Sequence, residues 1–411
     1  MQKRFLLAVL FIAAAAGAIY FFLRQSAQIQ PPQETPATPP TVSASEEVRA
    51  VWVNYNELSM KSLGGGSQAD FQNKAEEMCR NIRASGMNTV IVHVRPFCDA
   101  FYASELFPWS IYLTGTQGQG VDYDPFGIFL AAAKAQSLSV QAWINPYRVL
   151  LSAEWEKLSD NNPAKQWYEA GKTENLLLTE DGIYLNPASL EAQTLIINGV
   201  REILRKYDVD AIHMDDYFYP TTDPSVDAPS YEAYLAAGGR LSQDDWRREN
   251  VSMFVSALYA AVKAQNPQVQ LVISPGGDIA RNHDRLYADI ERWARESGFL
   301  DVLMPQLYYG FENAAKPFEK TAAEWANLRF APNVSLCFGL AAYKCGKEDV
   351  HAGTGALEWT QHEDILARQL TLCRTLPHYG GFALYTYSSI YMADSDEIMK
   401  KEWKNFRNVL Q

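Results

Sequence analysis

The chain has 411 residues, 47% hydrophobic and 12% aromatic, enough for one large core or two smaller ones. Its formal net charge is -12, with acidic and basic residues interspersed and no long basic run. That balance argues against nucleic acid as a partner and against a broad electrostatic hold on anionic lipid.

Lys3 and Arg4 precede an uncharged apolar run from Phe5 to Leu23, which Arg24 closes. Such a run is about long enough for the ~30 Å of hydrocarbon in a bilayer. A cleavable signal peptide is the rival reading. Its small-residue site would fall within Ala13–Ala18, leaving Ile19-Tyr20-Phe21-Phe22-Leu23 directly after the cut. The expectation is therefore a retained anchor over residues 1–24, with Lys3 and Arg4 on the cytoplasmic side. The protein would then sit in the cell membrane as a single-pass chain facing outward, or be secreted if the run is cleaved. Residues 25–47, rich in Pro, Gln and Thr, cannot build a core and read as a disordered tether. The folded domain is expected over residues 48–411. Five cysteines (Cys79, Cys98, Cys337, Cys345 and Cys373) show no C-x-x-C spacing, so neither a zinc site nor another cofactor is expected. Cys79, Cys337 and Cys373 lie in apolar patterns and read as small buried hydrophobes.

From Arg49 onward, short β-rich runs alternate with helical runs about eight times. The predicted strands are 50–54, 89–95, 140–145, 211–215, 270–274, 302–307, 335–339 and 382–387. Amphipathic segments lie between them, near 70–85, 125–137, 189–207, 244–265, 284–297, 316–327 and 362–376, with a last helix at 395–410. Ser189 reads as a helix start, and Gly86 and Gly298 follow helix ends. Eight such units predict an α/β fold, a closed (β/α)8 TIM barrel behind the N-terminal anchor.

Alternation assigns the faces of each strand. Inward positions would be Trp52 and Asn54; Ile91, His93 and Arg95; Gln141, Trp143 and Asn145; Met304, Gln306 and Tyr308; and Ala383, Tyr385 and Tyr387. A barrel interior is ordinarily branched aliphatic. This one is polar and aromatic toward the strand ends, the composition of a site for a polyhydroxylated ligand. Two long connections, 97–121 and 150–185, carry Tyr102, Trp109, Tyr112, Trp155, Trp167, Tyr168 and Tyr184 and are expected to wall the same mouth.

The fourth strand is the most informative: Val209-Asp210-Ala211-Ile212-His213-Met214-Asp215-Asp216-Tyr217-Phe218-Tyr219-Pro220. It turns Ala211, His213 and Asp215 to one side and ends in two adjacent carboxylates, where barrel active sites are built.

These residues resemble a known family. Arg49-Ala50-Val51-Trp52-Val53, His93-Val94-Arg95-Pro96, Ala142-Trp143-Ile144-Asn145-Pro146-Tyr147-Arg148 and the fourth-strand motif are similar to the bacterial glycosyl hydrolase-like 10 family, distantly related to the family 10 xylanases. The resemblance implies a glycoside hydrolase acting outside the membrane on cell-wall glycan, with peptidoglycan strands as the best-fitting substrate. Only the fourth-strand carboxylates are carried over from it as catalytic residues.

Glycoside hydrolysis ordinarily takes two carboxyl groups. Asp215 and Asp216 would also suit substrate-assisted hydrolysis, in which the sugar's N-acetyl oxygen attacks. Asp216 is then expected to be the acid and Asp215 the orienting carboxylate, with Asp99, Asp278 and Glu312 as alternative partners on other strand ends. Trp52, His93, Arg95, Trp143, Asn145, Tyr147, His213, Tyr217, Gln306, Tyr308 and Tyr385 are the expected substrate-binding residues. Two other readings stand beside this one: a barrel that binds glycan without cutting it, tethering membrane to wall, and a metal-dependent hydrolase using His93, His213 and Asp215.

Overall fold

The computed structural model describes residues 47–392 and 397–410. The expected anchor and almost all of the tether lie outside the described residues. Among the described residues no helix is long and apolar enough to cross a membrane.

Eight parallel strands close into a barrel in chain order: β1 (Val48–Val53), β2 (Thr89–Arg95), β3 (Ser139–Ile144), β4 (Ala211–Met214), β5 (Gln270–Ile273), β6 (Val302–Leu303), β7 (Ser335–Leu340) and β8 (Tyr379–Leu384), with β8 returning to β1. Strand-by-strand alternation separates two apolar clusters. One fills the barrel: Ala50, Trp52, Ile91, Trp143, Ala211, Val272, Val302, Met304, Cys337 and Ala383. The other lies between strands and helices, where Val51, Val53, Val90, Val92, Ile212, Met214 and Leu384 meet the helices' apolar stripes. The predicted parity of β1, β4 and β8 is therefore what the barrel adopts.

Local chemistry sets the element boundaries. Ser189 caps the helix Leu190–Lys206 by accepting the Ala192 amide, while Gly86 and Gly298 take the left-handed conformation past their helices. Where one helix was predicted over 284–297 there are two, Ile279–Arg285 and Ile290–Arg295, because Asp278 and Asp289 each cap a separate start. β6 is two residues long because Pro305 brings no N–H to the ladder. Pairing resumes through Gln306, which bridges Gly276 and Gly339. β8 begins and ends earlier than predicted. Tyr387 opens the short helix Tyr387–Tyr391, and its hydroxyl accepts from Asn81 outside the barrel.

The connection after β3 folds on itself as a three-stranded antiparallel sheet, Arg148–Leu150 with Gly182–Leu185 with Leu176–Thr179. Its Trp155 and Tyr168 stack on each other at 4.1 Å, and Tyr102 in the connection after β2 is fully buried. These loop aromatics do not wall the barrel mouth as expected. Phe97 and Tyr112 pack against Tyr55 at its rim and line a second cleft together with Leu150 and Leu151. All five cysteines are buried.

Candidate active site

A cavity of about 220 Å³ opens at the C-terminal ends of the strands. β1 contributes Trp52, and the capping box Asn54-x-x-Glu57 starts a helix there that lifts Tyr55 to the rim. From β2 and β3 come His93 and Trp143, stacked face to face at 3.6 Å. Beyond β4 stand Asp215, Asp216 and Tyr217, and Gln306 and Tyr308 follow β6. Tyr385 closes the ring from β8 and Tyr343 from the connection after β7. Gly339 makes this crowding possible, since a Cβ there would lie 3.0 Å from the Trp52 ring and 3.2 Å from the Pro305 carbonyl.

Among the described residues, Asp215 and Asp216 are the only carboxylates that line the cavity. The strand ends at Met214, and the turn that follows brings both side chains to the same space despite their opposite parity. The Trp143 indole donates to Asp215 Oδ2 at 3.1 Å, while Oδ1 is buried without a partner. Burial first, and the charge of Asp216 second, push the Asp215 carboxyl up to about 8. Arg148, the Trp143 N–H and the Tyr217 amide pull against them. Asp216 accepts from Gln306 Nε2 at 3.3 Å, and burial raises its carboxyl too.

His93 is 1% exposed, and neither of its ring nitrogens has a protein partner. Burial holds it well below the ordinary histidine range, so it meets the cavity as a neutral ring.

Four expected binding residues lie elsewhere. The β2–β3 register shifts between His93 and Arg95, so Arg95 pairs with Ile144 and falls on the outer face. There its guanidinium lies 4.5 Å over the Phe107 ring and against Gly199. Asn145 accepts the Arg148 amide at 3.3 Å and so shapes the turn after β3. Pro146 then carries the chain out of the barrel, and Tyr147 packs on Phe254 at 5.3 Å, fully buried beneath a helix. His213 points inward but one layer below the cavity. Its Nδ1 lies 2.8 Å from Gln141 Oε1 and its Nε2 accepts from Trp52 at 3.4 Å. Burial takes it down to about 3, so it is a neutral part of the barrel floor.

The alternative carboxylates are engaged away from the cavity. Asp99 accepts the Phe97 and Ile111 amides, Asp278 caps its helix and pairs with Lys316 at 3.0 Å, and Glu312 lies 3.6 Å from His362. The metal reading fails on geometry. No three His, Cys, Asp or Glu side chains among the described residues are grouped to hold an ion, and both nitrogens of His213 are occupied.

Sequence reasoning missed Tyr55, Arg148 and Tyr343. The capping box could have placed Tyr55 at a strand end, and Pro146 could have warned that parity stops before Arg148. Tyr343 sits in a loop with no periodic signal.

A parallel barrel with paired carboxylates in an aromatic cup at its strand ends is the architecture of a glycoside hydrolase, and that is the enzyme class here. The chain belongs to the glycosyl hydrolase-like 10 family, whose profile matches residues 47–353. It is 33% identical over 355 residues to the glycosyl hydrolase YngK of Bacillus subtilis (strain 168), covering 81% of this chain and 66% of that protein. To the glycosyl hydrolase DigH of Escherichia coli (strain K12) it is 29% identical over 393 residues, covering 86% of this chain and 88% of that one. Among solved structures, the glycoside hydrolase domain of PgaB (BpsB) from Bordetella bronchiseptica superposes with a TM-score of 0.61 at 12% identity. That match covers 89% of this chain and 99% of that domain, a likeness of fold.

Proposed function

We propose that this cavity hydrolyses glycosidic bonds in cell-wall glycan, with peptidoglycan strands as the substrate, outside the membrane to which the N-terminal run holds the chain. The observation that carries the reading is the adjacent pair Asp215 and Asp216, the only carboxylates of the described residues in an aromatic cavity. A two-carboxylate mechanism with an independent nucleophile wants a second group across the cavity, and none of the described residues supplies it there. Neighbouring carboxylates suit assistance by the substrate instead. One protonates the leaving oxygen while the other orients and polarises the acetamido group whose oxygen attacks the anomeric carbon.

The electrostatics favour the opposite division of roles from the one expected from sequence, Asp216 as acid and Asp215 as orienting carboxylate. Burial and the charge of Asp216 raise the Asp215 carboxyl to about 8, and its indole-bonded position fits the proton-carrying acid. Asp216, held by Gln306, is the charged partner that orients. His93, Gln306 and the rings of Trp52, Trp143 and Tyr385 hold the sugar.

Mass spectrometry of purified glycan strands, intact and stripped of peptides, tests the reading. Incubation with the protein is expected to release shorter fragments with new reducing ends, and neither Asp215→Asn nor Asp216→Asn should release them at the wild-type rate. Strands that bind and stay uncut would overturn hydrolysis in favour of a binding barrel.

A further inference from the structure

Among the described residues Arg148 is the one cation lining the cavity, and none of their carboxylates forms an ion pair with it. Its backbone is fixed by Asn145, which accepts its amide, and by its place at the start of the small antiparallel sheet. Its guanidinium carbon lies 3.8 Å from the centre of the Tyr217 ring and 5.3 Å from that of Phe97. The two rings hold the group where it lines the cavity. Nε is buried without a hydrogen-bond partner, and the group pairs with no carboxylate of the described residues.

The contrast with Arg247 is instructive. That arginine also lies against tyrosine rings, Tyr219 at 5.3 Å and Tyr287 at 5.0 Å. Yet its donors are taken by both oxygens of Asp227, the Asp223 and Thr222 carbonyls and the Tyr287 hydroxyl. Arg247 is saturated, whereas Arg95, packed on Phe107 outside the cavity, leaves both terminal nitrogens unpartnered. Arg148 differs from both in lining an open cavity, where a ligand can supply the anion that a partly buried cation lacks. Its position bears on the reaction too, because it faces the same cavity as Asp215 and Asp216 without joining either in an ion pair.

We infer that Arg148 is a specificity-determining residue whose guanidinium edge receives a carboxylate carried by the sugar in the cavity. The planar fork matches a carboxylate in a bidentate manner, and the stacked rings preorganise it. Two sugar chemistries present such a group, a lactyl ether on an amino sugar and a uronic acid. The inference rests on the glycan reading above and names which sugar is held at the paired carboxylates.

The experiment compares three substrates on the full chain: an oligosaccharide of N-acetylglucosamine and N-acetylmuramic acid with free lactyl carboxylates, its methyl ester, and an oligomer containing glucuronic acid. Hydrolysis rates and calorimetric binding are both read. The wild type is expected to prefer free acid over ester by about tenfold to a hundredfold in kcat/KM, the weight of a charge-assisted hydrogen bond. Arg148→Gln should bring that ratio close to one, with Arg148→Lys between, since it keeps the charge and loses the fork. A preference for the glucuronic acid oligomer would assign the carboxylate to that source. A wild type that treats acid and ester alike overturns the inference without any variant having to fold. So does an Arg148→Gln that slows both substrates equally, which would make Arg148 a partner of the aspartates only. If nothing is cut but the acid still binds more tightly than the ester through Arg148, the inference stands and hydrolysis falls. If no glycan binds, both fall.

Discussion

Two carboxylates side by side in a buried cavity cannot both ionise near neutrality without strong mutual repulsion, so the pair titrates as a unit. Burial and the neighbouring charge push the Asp215 carboxyl up to about 8. The acid must carry its proton to act, so kcat/KM is expected to fall as pH rises through about 8 and to hold below it until Asp216 is protonated in turn. Asp215→Asn should cost ~10²–10⁴-fold and remove that alkaline limb. An activated leaving group, which needs no proton, should restore more of the lost rate in Asp215→Asn than in Asp216→Asn. Rescue of Asp216→Asn instead would return the acid role to Asp216. Rates within a few-fold of wild type in both variants would remove β4 from the chemistry.

At the level of elements, the site depends on how the chain leaves β4. After Tyr217 it runs as an irregular loop to the helix Ala228–Ala236, tied down by the fully buried pair of Asp227 and Arg247. Removing one partner leaves the other charge buried alone, so Asp227→Ala should cost ~3–5 kcal/mol in urea denaturation. A change under 1 kcal/mol would mean that the pair is not what holds the loop. Much of this architecture could be read from residues alone. The valines of β1 and β2 and the Ala211-His213-Asp215 face of β4 announced a barrel with a polar, aromatic mouth. Parity failed where the backbone breaks its own period. The bulge at Val94 turns Arg95 outward, and nothing in Val92-His93-Val94-Arg95 marks it. The small Gly199, which makes room for the Arg95 guanidinium, sits over a hundred residues away, and only the fold brings them together. Asn145, Pro146 and Tyr147 lie past the end of β3, where Pro146 is a visible signal that alternation no longer applies.

For the whole molecule, closure of the barrel is a contact between its two ends. β1 pairs with β8 from Val48–Gly381 to Val51–Leu384. Glu47 clasps the seam, accepting from Arg374, Arg49 and the hydroxyl of Tyr379, 332 residues along the chain. Burial pushes the Glu47 carboxyl up, but hydrogen bonds from Arg374, Tyr379 and Arg49 outweigh it and hold it down to about 2. A depressed folded value means that the clasp contributes fully above its ordinary 4.5 and is lost as pH falls through about 2. Thermal melts should therefore show stability falling across that window, with a shallower fall in Glu47→Gln. Identical slopes would mean the clasp is not the acid-sensitive contact. The same seam governs how the protein comes into being. The first strand of the barrel is completed by its last, and at ~5–20 residues per second that partner follows roughly 15–70 s later. Throughout that interval β1 presents an open, apolar edge with nothing to pair with it, so synthesis is a race between barrel closure and edge-to-edge aggregation.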